Sequence, residues 1–232
     1  FQMVMGWDVD GVIAISFSKS NGEKIYQLIN KPIVSIDAYG ELDAGQENHV
    51  LNIGLDDESG GYLMTKYLLE CGYEHIQVCA GRDNGVDHFR YMGAQRAAKE
   101  FAGKKQKVQF TALGMNYAKR KESYAWLIQR KKPKTALFFL SDLYALEAIS
   151  FFSSRGVKIP KEIGIAGYDN ISYAEFSVPR LTTISQNVEQ KASLAVEILM
   201  ERINGVEKER ENQIELPVTL IPRKSVQPQD EN

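Results

Sequence analysis

Short apolar runs alternate with longer amphipathic stretches along most of this chain. The runs fall at 11–16 (GVIAIS), 33–37 (IVSID), 50–55, 76–80 (IQVCA), 108–113 (VQFTAL), 136–140 (ALFFL) and 163–167. Uninterrupted runs of this length read as strands covered on both faces. Between them, 20–30, 58–71, 90–102, 119–131 and 142–155 carry a helical period. Strand and helix in alternation predict an α/β fold of parallel sheets with right-handed crossovers. A further helix is expected over 188–204, with Val188, Ala192, Ala195, Leu199 and Ile203 as its inward stripe, reinforced by Leu194 and Ile198. Asn187 and Gln190 stand where an N-cap pair would sit, and Gly205 where a left-handed terminator belongs. The two prolines of 215–225 suit an edge strand, and 227–232 reads as a loose tail.

Polar chemistry gathers where the strands end. Asp37, Asp56, Asp142 and Asp169 each follow or close an apolar run. In open parallel sheets ligands bind past the carboxyl ends of strands, so acids there can accept bonds from a small polar molecule. The segment AGRDNGVDHFR (80–90) follows another strand and supplies Asp83, Asn84, Asp87, His88 and Arg90. It reads equally as a ligand loop and as a polar surface loop with Arg90 in a helix-end ion pair. Carboxylates, amides and guanidinium groups pair with vicinal hydroxyls, and aromatic faces stack on rings.

Composition narrows the classes. The net charge of −2 among 232 residues offers no basic excess for nucleic acid. Lys104, Lys105 and Lys107, and Arg130, Lys131, Lys132 and Lys134, read first as solvated helix ends. Cys71 and Cys79 read as two reduced thiols rather than a disulfide. No membrane-length apolar run is read, and no signal peptide is expected. His49, His75 and His88 lack metal-ligand spacing, and no nucleophile elbow, phosphate loop or dinucleotide fingerprint is present. No enzyme, catalytic residue, cofactor or metal is expected.

The order of motifs then carries a resemblance. GYDN (167–170), a short helix, VPRLTTISQ (178–186), the helix of 188–204 and LPVTLIPRKS (216–225) follow one another. DGVIAI (10–15), KPIVSID (31–37), LDDESGGYLMTKYLLECGYEHI (55–76), FRYMGAQRA (89–97) and FLSDLYALEAI (139–149) extend the pattern through the chain. The whole resembles the lactose-repressor/galactose-repressor (LacI/GalR) family of bacterial transcription regulators. The resemblance implies two parallel-sheet lobes of periplasmic-binding-protein type joined by a three-stranded hinge, dimerisation, and a cytoplasmic location. It implies operator DNA as a partner only through a helix-turn-helix headpiece. That headpiece, and the first strand–helix–strand of the first lobe, are expected to be missing from this sequence. The expected lobes are 1–56 with 185–212, and 57–184 with 213–226.

Residue by residue, Asp169 matches the family acid that bonds ligand hydroxyls or ring nitrogens, and Arg90 the arginine that clamps the effector. Asp142 matches a polar cleft residue, and Tyr117 lies near the family's stacking aromatic. Asn84 and Val86 fall at loop positions that often contact ligand. Ala38, beside the strand-end Asp37, replaces an aromatic of purine-binding relatives. The expected effector is a sugar or sugar derivative held between the lobes, with no membrane partner. The alternative of a different class is an extracellular sugar-binding protein of a transport system.

Overall fold

A computed structural model describes residues 8–81, 85–101, 106–206 and 208–229. The chain forms two compact units, residues 1–56 with 187–217 and residues 57–186 with 218–232. It crosses between them at 56–57, 186–187 and 217–218.

The first unit is built on a parallel sheet of β1 (Val12–Ile15), β2 (Ile33–Ile36), β3 (Leu51–Leu55) and β9 (Gln213–Leu216), in the order β1-β2-β3-β9. Its helices are α1 (Lys19–Ile29) and α7 (Val188–Ile203). Strands β2 and β3 are buried throughout, whereas β1, at an edge, leaves Ile15 exposed. The buried face of α7 differs from the expected stripe. Lys191, Ala195 and Ile198 are inside, while Val188 is 62% exposed. Two polar side chains turn the helix that way. Lys191 Nζ donates to Asp37 at 2.6 Å, and Arg202 Nη1 donates to the carbonyls of Ile33 and His49. Such bonds offset the cost of burying charge. Asn187 does not cap: its backbone is left-handed and its amide donates to the Pro217 carbonyl at 2.9 Å. Gly205 takes φ +68°, as a terminator does.

The second unit holds a parallel sheet of β4 (His75–Ala80), β5 (Lys107–Ala112), β6 (Thr135–Phe139) and β7 (Gly164–Ala166), ordered β5-β4-β6-β7. Alternate side chains of its strands leave by opposite faces. Cys79, Leu137 and Phe139 enter a core with Tyr124 and Leu127 of α4 (Tyr117–Gln129) and Ala145, Ala148 and Phe152 of α5 (Asp142–Ser153). Helices α2 (Asp57–Glu70) and α3 (Val86–Glu100) pack on each other and on β4–β6. Their approach is close enough that a Cβ on Gly61 would lie 1.8 Å from the Arg90 carbonyl oxygen, and one on Gly93 1.8 Å from that of Glu58. Both cysteines are free and buried.

The strand expected over 215–225 is in fact two. Pro217 has no N–H for a ladder and separates β9 from β10 (Thr219–Ile221). β9 pairs with β3, so 213–216 belongs to the first unit rather than the second. β10 runs antiparallel to β8 (Thr183–Ser185), after the one-turn helix α6 (Ser172–Phe176). The tail is held further along than expected, because the Gln229 N–H donates to the Cys71 carbonyl at 2.7 Å. Among the described residues no helix is long and apolar enough to cross a membrane.

Candidate functional site

At the carboxyl ends of β6 and β7 the second unit gathers a connected polar cluster. β7 runs out through Gly167 and Tyr168 to Asp169. Segment 182–185 lies alongside, taking the Gly167 N–H on Thr182 O at 2.8 Å and the Asp169 N–H on Ile184 O at 2.9 Å. Asp169 has φ +124°, a conformation side chains rarely adopt. Its carboxylate accepts from Gln186 Nε2 at 2.6 Å on one oxygen, and from Ser141 Oγ at 3.0 Å and the Asp142 N–H at 3.3 Å on the other. Burial pushes its carboxyl above the usual range, against the opposing pull of Arg90 and these donors.

Asp142 opens α5, where a helix N-terminus favours negative charge. It is wholly buried. One oxygen accepts from Thr183 Oγ1 at 2.6 Å and the other from the Ile171 N–H at 3.0 Å. Burial, reinforced by the charge of Asp169, pushes its carboxyl up to about 7 despite the bond from Thr183. Asp142 therefore ties the exit of β7 to β8 and positions its neighbours. A Cβ on Gly167 would meet its Oδ1 at 2.1 Å, so only glycine admits this packing.

Arg90 approaches from α3 and is 7% exposed. Its Nε donates to Asp57 at 2.7 Å, its Nη1 to the Leu140 carbonyl at 2.9 Å, and its guanidinium lies 3.8 Å from the Tyr168 ring centroid. Tyr168 in turn donates its hydroxyl to Asp57 at 3.1 Å. Burial opposes the Arg90 charge, yet Asp57, Tyr168 and Asp169 outweigh it and hold the group above its ordinary value. The ion-pair reading of Arg90 thus has a physical basis, with Asp57 as the chief partner. Arg223, after β10, bonds Leu181 O and Asn170 Oδ1, both at 2.8 Å, and braces the same corner.

The structure brings Asp169, Asp142 and Arg90 into this one cluster. Tyr117 takes no part in the hydrogen bonds described above. It is 48% exposed at the start of α4, past the edge strand β5, with Lys121 over its ring at 5.1 Å. Asn84 lies outside the described residues. Asp37 closes β2 in the first unit with φ +52° and is paired with the buried Lys191. The sequence reading missed Asp57, Tyr168, Thr183, Gln186 and Arg223 as members of the cluster. Gln186 follows Ile184 and Ser185 at the end of a three-residue strand, too short a pattern to single it out.

Residues 65–226 match the model of the periplasmic binding protein-like domain. A curated relative, the HTH-type transcriptional repressor PurR of Pasteurella multocida, is 32% identical over 97% of this chain. The chain spans 66% of that relative's length. A solved LacI family transcriptional regulator from Enterococcus faecium, with bound ribose, is 25% identical with a TM-score of 0.79, covering 96% of this chain and 81% of its own. A periplasmic binding protein/LacI transcriptional regulator from Alkaliphilus metalliredigens, complexed with D-xylulofuranose, is 26% identical with a TM-score of 0.78, covering 97% and 80%. The chain belongs to the periplasmic binding protein-like family, in the effector-core form that LacI-family transcriptional regulators carry.

Proposed function

We propose that this chain is the small-molecule-sensing core of a cytoplasmic, dimeric, non-catalytic transcription regulator, and that its effector is a sugar or sugar derivative. The carrying observation is the cluster at the exit of β6 and β7. Asp169 presents a carboxylate oriented by three donors, beside the guanidinium of Arg90. A carboxylate and a guanidinium side by side can pair with adjacent hydroxyls of one sugar ring. The sugars bound to the two solved regulators support that class. The relative's name supports regulation of transcription over feeding a transporter. Effector binding would change operator affinity by favouring one of two conformations, a reciprocal coupling of two sites. An exposed apolar patch of Tyr173, Phe176 and Val178 on and after α6 fits a subunit contact.

The test is a calorimetric screen of pentoses and hexoses, with ribose first. Asp169→Asn keeps shape and removes charge, so it should weaken the cognate sugar at least tenfold while the free protein melts near the parent temperature. Unchanged affinity would remove Asp169 from the site. Arg90 is a poorer probe, because its loss leaves Asp57 buried without its cation.

A further inference from the structure

A second polar recess lies at the opposite end of the second unit's sheet, where the strands begin. Lys107, His75 and Thr135 stand on one rung of β5, β4 and β6, and Gln109, Gln77 and Leu137 on the next rung of the same face. Both faces of a parallel sheet are normally sealed by apolar side chains. Here the entry half of one face is polar, and a cavity of about 310 Å³ lies over it. Trp126 and Leu127 of α4, with Arg130 at its C-cap, form the opposite wall, and Lys131 and Lys132 stand at the end. The volume falls at the lower bound of ordinary ligand pockets.

The charges in this recess are unbalanced. Among the described residues no acidic side chain lines it. Lys131 is paired with Glu162 at 2.8 Å, but Lys107, Arg130 and Lys132 have no carboxylate partner among the described residues. Gln77 Nε2 donates to Gln109 Oε1 at 3.3 Å and Thr111 donates to Gln77 Oε1 at 2.8 Å, so the amide chain ends on the unused donor of Gln109. Donors and cations thus converge where acceptors are lacking. The Arg130 guanidinium lies 4.9 Å from the Trp126 ring centroid, which places a flat apolar surface beside the charge. Solvated helix ends explain one such cation, not three around a shared cavity with an aromatic wall.

We propose that this recess is a second ligand site, which takes a small phosphorylated molecule with its phosphoryl group among Lys107, Lys132 and Arg130 and its organic part against Trp126. Three cations and an amide donor suit the three acceptor oxygens of a phosphate monoester. The site is independent of the sugar cluster, which lies past the other ends of the same strands. A six-residue strand spans about 20 Å. His75 provides an internal reporter. Burial first, then Lys132 and Lys107, hold its imidazole below the ordinary value against Glu74. A bound dianion reverses that balance, so the His75 titration moves upward.

Phenyl phosphate, phenol, inorganic phosphate and a ten-nucleotide single-stranded DNA are the probes, read by amide and indole NMR shifts of the whole chain. Phenyl phosphate should give saturable shifts at Trp126, His75, Lys107 and Lys132 with none at Asp142 or Asp169, inorganic phosphate should bind more weakly, and phenol should not bind. The exposed pair Lys107→Gln with Lys132→Gln should weaken phenyl phosphate about tenfold, and the corresponding arginine pair should restore it. Binding should survive Asp169→Asn unchanged, so failure here and failure of the sugar site are separable. Shifts that stay linear in concentration, or that persist in the double glutamine variant, overturn the proposal. Saturation by the DNA alone overturns it too, and makes the face a polyanion surface.

Discussion

Asp169 and its neighbour Asn170 both have positive φ, +124° and +56°. Asparagine tolerates the left-handed region, but +124° is ground that glycine occupies almost alone. A residue held there costs about 1–3 kcal/mol. That strain aims the carboxylate between Ser141 and Gln186. Asp169→Gly and Asp169→Ala lose the same hydrogen bonds, so their difference isolates the backbone. The glycine variant should be the more stable by about 1–3 kcal/mol in urea melts. Equal melts would mean the loop relaxes without cost. Asp142 carries a different liability. Its carboxyl, pushed to about 7 from an ordinary 3.8, holds a proton in the folded chain that the unfolded chain releases. Stability therefore falls as pH rises through that interval, by up to about 1.4 kcal/mol per pH unit from this group. The change in urea midpoint between pH 5 and pH 7 should be smaller in Asp142→Asn than in the parent. Identical changes would assign the slope to other groups.

At the scale of elements, the contact of α2 with α3 decides where Arg90 points. Gly61 and Gly93 leave no room for a methyl group against backbone oxygen. Alanine at either should push the helices apart and cost more than about 2 kcal/mol by chemical denaturation. It should also loosen the Arg90–Asp57 pair. Strands β1 to β7 and helices α1 to α5 were legible because long runs declare their period. β8 was not, since three residues carry no period, and β9 and β10 were merged because a proline announces a break without saying which sheet each side joins. The turn of α7 was misread because an apolar stripe was counted where Lys191 and Arg202 find partners inside. The same limit governs the site. Asp169, Asp142 and Arg90 were visible beside their own strands and helices. Thr183 is 41 positions from Asp142, and Arg223 is 53 positions from Asn170. Such pairings follow from sheet order, which no local pattern encodes.

At the scale of the molecule, each unit has its own sheet and core. Leu51 and Ile53 are buried in the first, Phe138 and Phe139 in the second. Leu51→Ala should cost about 2–5 kcal/mol in the first unit and leave the second unit's amide exchange protection intact. Loss of protection in both together would show that they unfold as one body. The first unit is assembled from two separate stretches, and the second is almost entirely one uninterrupted run, 57–186. Asp57, Arg90, Asp142, Asp169, Thr183 and Gln186 all fall inside that run, and Arg223 alone comes from beyond it. A pair of recombination events at its boundaries would exchange nearly all of this polar cluster between two relatives as a single cassette. On the proposed function, new specificities would then spread by transfer as well as by point change, while β1, β2, β3, β9 and α7 keep their ancestral sequence.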